Sequence, residues 1–143
     1  NLVRYLLDTN VVSELITRRP DERVVRWVGG LDPGGTYLSV ITVGEISKGI
    51  EKLPDSRRRD TINEWLTGDL LLRFEGRILT IDVAVMLAWG ALAAEAESRV
   101  RTMPAMDSLI SALALHHDLV LATRDEDDFR HTGVRILNPW NQG

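Results

Sequence analysis

The chain opens on a short apolar run, Tyr5-Leu6-Leu7, which stops at Asp8-Thr9-Asn10 and passes into Val11-Val12-Ser13-Glu14-Leu15-Ile16. That pattern predicts a buried strand feeding a helix. A helix from Asp21 to about Val28 follows, with Val24, Val25 and Val28 inward and Gly29-Gly30 closing it. Thr36 to Ser39 then reads as a second strand, and Thr42 to Lys52 as a helix with Val43, Ile46 and Ile50 toward the core. Asp55 to Leu72 reads as one longer helix with Ile62, Trp65 and Leu66 inward. Arg77 to Ile81 is a third strand. Asp82 is placed to cap a long alanine-rich helix toward Val100. Beyond Pro104, Ala105 to His117 predicts another helix, striped by Met106, Leu109, Ile110 and Leu113. Leu119 to Ala122 and Val134 to Leu137 complete the strands.

Short β-branched or leucine-rich runs separated by helices imply an α/β fold: a central parallel sheet of about five strands flanked by helices on both faces. With 143 residues, the chain is expected to be one domain over 1–143. Hydrophobic residues at 44% and charged residues at 27% exclude a disordered or fibrous main state. The absence of cysteine removes disulfides, thiolate metal sites and thiol nucleophiles, so only oxygen and nitrogen ligands remain. Ile81 to Ala96, broken by Asp82 and Glu95, is too short for the roughly 20 residues of a membrane span. The first residues lack a signal-peptide pattern, so the expected address is cytoplasmic, with no membrane partner.

A net charge of −4 argues against a uniformly basic surface for nucleic acid. Arg57-Arg58-Arg59 reads first as a solvated helix face, with RNA or partner binding as the alternative. Adjacent His116 and His117 lack the i, i+4 spacing of a zinc helix. Trp27, Trp65 and Trp89 lie in helical patterns and read as core or interface rather than base-stacking platforms.

Four acids stand where a parallel sheet builds its ligand crevice, beyond the carboxyl ends of strands and at the starts of helices. Asp8 ends the first strand, Glu45 lies in the first turn of the helix after the second, Asp107 lies in the first turn after Pro104, and Asp125 follows Ala122-Thr123. Each also has a plain structural reading. Thr42-Val43-Gly44-Glu45 fits a capping box, Glu45 is placed to pair with Lys48, Asp107 suits a helix dipole, and Asp125 suits a turn. Gathered together, carboxylates about 4 Å apart repel by about 4 kcal/mol at an effective dielectric near 20. Such a cluster holds protons or binds a cation. Oxygen-only ligands suit Mg²⁺, with Mn²⁺ as substitute, an ion that keeps waters and leaves positions for phosphate oxygens.

The segments Leu7-Asp8-Thr9-Asn10-Val11-Val12-Ser13-Glu14, Ile41-Thr42-Val43-Gly44-Glu45-Ile46, Met106-Asp107-Ser108-Leu109-Ile110 and Ala122-Thr123-Arg124-Asp125 resemble PIN-domain nucleases. They are similar more narrowly to the VapC toxins, and Asn138-Pro139-Trp140 resembles the FitB subgroup. The resemblance implies a metal-dependent endoribonuclease, the toxin of a type II toxin–antitoxin pair. In that role Asp8 and Asp107 hold metal most directly, Glu45 binds it through water or orients the attacking water, and Asp125 completes the second side. Asp128 is the nearby substitute for Asp125, and Asn10 and Thr123 match positions that orient the carboxylates. The same resemblance implies an RNA substrate, a cognate antitoxin, operator DNA reached only through that antitoxin, and a homodimer or higher assembly. The competing reading is a PIN-like module that binds nucleic acid or protein without cutting. A dehalogenase-type phosphatase is disfavoured by Asn10 in place of a second aspartate and, like a receiver domain, by the lack of any lysine after Lys52.

Overall fold

Alternating side chains divide the interior in two. Strands β1 (Tyr5–Leu7), β2 (Thr36–Ser39), β3 (Ile78–Leu79), β4 (Val120–Ala122) and β5 (Ile136–Leu137) form one parallel sheet in the order β3-β2-β1-β4-β5. The computed structural model describes residues 3–142. Leu6 and Leu121 point to one face while their neighbours Leu7 and Ala122 point to the other, so each strand feeds two separate cores.

One core packs Leu7 and Leu38 against α1 (Thr9–Glu14), α2 (Glu22–Gly29) and α3 (Val40–Glu51), through Val11, Val12, Val24, Ile46 and Ile50. It is closed by α4 (Arg57–Trp65), a π-helical turn at Leu66–Leu70 and the single turn α5 (Leu71–Arg73). The other core packs Leu6 and Leu121 against α6 (Val83–Ser98), α7 (Ala105–His116) and α8 (Glu126–Phe129), through Val85, Ile110, Leu113 and Phe129. The expected α/β architecture is thus present, with helices on both faces.

Several local expectations change. The helix expected over 55–72 is interrupted, because Leu66, Leu70 and Phe74 are spaced by four and all are buried, and the wider π turn keeps such a spacing on one face. Helix α3 begins at Val40, capped by the Ser39 hydroxyl on the Thr42 N–H at 3.1 Å, so Thr42 is not a cap and Glu45 is not part of a capping box. Val25 and Met106 are exposed rather than inward, Met106 by 53%. Of the three adjacent arginines, Arg58 donates to the Ile16 carbonyl and Arg59 pairs with Glu51 at 3.0 Å, which leaves Arg57 as the one on a plain solvated face.

The indoles are structural. Trp27 meets Tyr5 edge-on at 5.0 Å, Trp65 packs on the first core, and Trp89 donates to the Ser108 hydroxyl at 2.8 Å, tying α6 to α7. Trp140 is buried, with the Arg124 guanidinium over its ring at 5.0 Å. Among the described residues no helix is long and apolar enough to cross a membrane.

Helix α8 has four residues and no stability of its own. Phe129, fully buried in the second core, holds it beside the end of β4, and Thr132 caps the arrangement by donating to the Phe129 carbonyl at 2.7 Å. Phe129→Ala is therefore expected to lower stability by about 3–5 kcal/mol. Denaturant unfolding of the two proteins measures this; a loss below about 1 kcal/mol would remove Phe129 as the anchor of α8.

Candidate functional site

Strand register builds the site. Leu7 pairs with Ala122, and the next step of the ladder, Asp8 N–H to the Ala122 carbonyl at 2.9 Å, brings Asp8 beside Thr123 at the carboxyl end of the sheet. Here the chain order reverses: β2 and β3 lie to one side of β1, β4 and β5 to the other, and a crevice opens where their connections part.

Asp8 is buried and is also the N-cap of α1. One carboxylate oxygen accepts the Thr9 N–H at 2.8 Å and the other accepts the Thr123 hydroxyl at 2.8 Å, with the Asn10 amide farther off at 3.5 Å. Burial pushes its pKa above the ordinary carboxylate value. Those two hydrogen bonds pull it down, and the charges of Glu45 and Asp125 push it up further.

Asn10 bridges the ends of β1 and β4. Its amide donates to Thr123 Oγ1 at 3.3 Å and to Asp125 Oδ2 at 3.2 Å, while its carbonyl accepts the Arg124 N–H at 3.2 Å. Thr123, fully buried, accepts the Asp125 N–H at 3.0 Å as it donates to Asp8. The two supporting residues expected from sequence thus link Asp8 to Asp125 through one continuous network.

Glu45 arrives from the second turn of α3. Its Oε1 accepts the Thr9 hydroxyl at 2.5 Å, Thr9 Oγ1 lies 2.9 Å from Thr42 Oγ1, and Ser39 Oγ lies 3.4 Å from Thr42 Oγ1. Thr9, Thr42 and Ser39 were not singled out as site residues by the sequence. The signal was present in Asp8-Thr9-Asn10 and in the three-residue spacing Ser39, Thr42, Glu45, but hydroxyls at such places read equally well as caps.

Asp107 lies in the first turn of α7, which has Pro104 in place of a capping side chain. Its pKa is raised to about 6, by burial first and then by the charges of Asp8, Asp128, Asp125 and Glu45 in that order. The other four candidate acids therefore all act on Asp107, and Glu45 and Asp125 act on Asp8 as well. Asp128 acts on Asp107 more strongly than Asp125 does, although Asp125 holds the hydrogen-bonded place next to Thr123.

Among the described residues none of these five carboxylates forms a salt bridge. The nearby cations are engaged elsewhere: Arg130 pairs with Asp127 at 2.7 Å and Arg124 lies over Trp140. Lys48, expected as a possible partner of Glu45, is not paired with it. Nor, among the described residues, do three carboxylates or histidines stand close enough together to hold a metal ion by themselves. Unscreened like charges keep apart, and the donor set fits an ion that takes a few carboxylates and keeps several waters better than one that demands a protein cage.

The family model described as PIN domain matches residues 5–134. Toxin FitB of Neisseria gonorrhoeae is 38% identical over 136 residues, covering 95% of this chain and 98% of FitB. VapC ribonuclease Y4jK of Sinorhizobium fredii is 36% identical, covering 94% of this chain and 96% of the relative. Among solved structures, FitAB bound to an IR36 DNA fragment superposes with a TM-score of 0.92 at 35% identity, covering 97% of each chain. With this coverage, and with a parallel sheet carrying the acids in the order the sequence predicts, the chain belongs to the PIN-domain family, in the branch that holds toxin FitB and the VapC ribonucleases.

Proposed function

We propose that this protein is an Mg²⁺-dependent endoribonuclease, with Mn²⁺ able to substitute, acting in the cytoplasm as the toxin of a type II toxin–antitoxin pair. The observation that carries the reading is the acidic rim: Asp8, Glu45, Asp125 and Asp128 all act on Asp107 at the switch point of the sheet, and among the described residues no cation forms a salt bridge with any of the five. A surface that concentrates negative charge accepts a polyanion only with divalent cations between the two. The names of the relatives, ribonuclease and toxin, support RNA as that polyanion.

In this reading Asp8 and Asp107 hold the cation most directly, and Asp125, with Asp128 nearby, completes the far side. A bound divalent cation supplies water of lowered pKa and neutralises charge that develops on the phosphate. Asp8 is presented in one orientation because both oxygens already accept hydrogen bonds from Thr9 and Thr123. Glu45 keeps Oε2 free of protein hydrogen bonds among the described residues, so this oxygen is available to orient the water that attacks phosphorus. Asn10 and Thr123 fix the distance between the Asp8 and Asp125 sides.

The partners of the reading are a cognate antitoxin, operator DNA reached through the antitoxin, and a second copy of the chain. The DNA-bound FitAB relative supports the first two. Val83, Met86 and Leu87 support the third: spaced i, i+3, i+4 on α6, they place one exposed apolar face in solvent.

Purified protein incubated with labelled RNA in Mg²⁺ is expected to produce discrete internal cuts that EDTA suppresses. Asp8→Asn and Asp107→Asn should each lower the rate by about 100-fold or more while circular dichroism stays unchanged. Undiminished cutting by either variant removes that residue from the metal role, and RNA binding without cutting by the unmodified protein would favour the non-cleaving module.

A second expectation concerns pH. Asp107 binds its proton more tightly in the folded protein, with a pKa of about 6, than in the unfolded chain, where the reference is 3.8. The stability this contributes is fully present below pH 3.8 and is lost as pH rises through about 6; Asp8 is shifted in the same direction. Metal-free protein should therefore melt at lower temperature at pH 7 than at pH 5, and added Mg²⁺ should raise Tm more at pH 7. A Tm independent of both pH and Mg²⁺ across this window would contradict the shared rim charge.

A further inference from the structure

We propose that Ser39, Thr42 and Thr9 form a one-way hydroxyl relay that holds Glu45 in its working orientation, which makes Thr9 and Thr42 positioning residues for RNA cleavage. The inference rests on the proposed nuclease reading and adds residues to the same site.

The direction of the relay follows from counting protons. An ionised carboxylate accepts and does not donate, so the 2.5 Å contact uses the single hydroxyl hydrogen of Thr9 on Glu45 Oε1. Thr9 Oγ1 then has only lone pairs left for Thr42, and at 2.9 Å it is Thr42 that donates. Thr42, its own hydrogen committed, receives from Ser39 at 3.4 Å, while Ser39 Oγ accepts the Thr42 N–H at 3.1 Å. The chain of donors ends on Glu45, and each donated bond polarises the next in the same sense.

The behaviour of other helix hydroxyls shows that Thr42 is not merely a satisfied core group. Thr67 donates to the Asn63 carbonyl at 3.0 Å and Ser111 to the Asp107 carbonyl at 2.9 Å, each returning its hydrogen to the preceding turn of its own helix. Ser108 does the same to Ala105 at 2.7 Å. Thr42 has no such bond and is aimed instead at a residue 33 positions away on another helix. Both inner hydroxyls are closed to solvent, Thr42 fully and Ser39 nearly so, and water does not compete for their hydrogens. Glu45, by contrast, is exposed and unpaired with Lys48, so Thr9 is its one direct protein contact by hydrogen bond among the described residues. A long side chain in that setting samples several rotamers unless something holds it.

The test compares Thr42→Val, which keeps shape and removes the hydroxyl, with Thr42→Ser, which keeps the hydroxyl. It uses single-site RNA cleavage in Mg²⁺ and, separately, the ¹³C resonance of the Glu45 carboxyl in metal-free protein. Thr42→Val is expected to lower kcat by about 10-fold with KM nearly unchanged, and to shift or broaden the Glu45 resonance. Thr42→Ser is expected to restore both. Thr9→Val and Thr9→Ser repeat the comparison at a half-buried position if Thr42→Val does not fold. A folded valine variant with unaltered kcat and an unaltered Glu45 resonance overturns the relay. Absence of RNA cleavage by the unmodified protein instead overturns the nuclease reading, and the carboxyl resonance still decides whether the hydroxyls hold Glu45.

Discussion

A buried carboxylate at the end of the central strand is the constraint around which the site is organised. Asp8 sits where Tyr5-Leu6-Leu7 gives way to α1, out of water and without a cationic partner among the described residues. Burying a charge in that way is unfavourable unless hydrogen bonds are aimed at it. Two are: the Thr9 N–H at the start of α1 and the Thr123 hydroxyl at the end of β4. The first is local, made by the next residue in the chain; the second depends on pairing of β1 with β4 in one register, because a slip of one residue would present Ala122 where Thr123 now stands.

From that point the remaining acids are positioned by short connections. Thr123 also takes the Asp125 N–H, and Asn10 reaches from α1 to both, so the first and fourth strands share a single polar network. On the other side, Ser39 ends β2 and starts α3, and this sets the turn on which Glu45 appears. Asp107 is brought by α7, which packs on the second core through Ile110 and Leu113. Two apolar cores, one on each face of the sheet, thus support one acidic rim at its edge.

The rim itself opposes folding in the absence of cations. Desolvation and four neighbouring carboxylates together raise Asp107 toward neutrality, which is the response expected of like charges with no counter-ion. An arrangement that lowers its own stability in this way is retained where the charge is used, as functional sites commonly do. Val83, Met86 and Leu87 on α6 and Met106 on α7 likewise leave apolar side chains exposed to solvent.

Strand-to-helix order, the two-faced parallel sheet and the placing of acids at strand ends and helix starts were legible in the sequence, because hydrophobic period and the places where it breaks are local properties. Asp8 after Leu7 was the plainest case, a charge set directly against a buried strand. The same local reading mistook Thr42-x-x-Glu45 for a capping box, turned Met106 inward and ran one helix over 55–72. Each error concerns which neighbour a side chain meets, and a helix period cannot specify that. What only the tertiary structure decided is the meeting itself: Thr9 with Glu45 across 36 positions, Thr123 with Asp8 across 115, and Asp107 within the field of all the rest. The sequence by itself determined which residues carry charge and hydroxyl groups. Their distances were set by register and by packing on two cores, which are properties of the whole sheet and of no single segment.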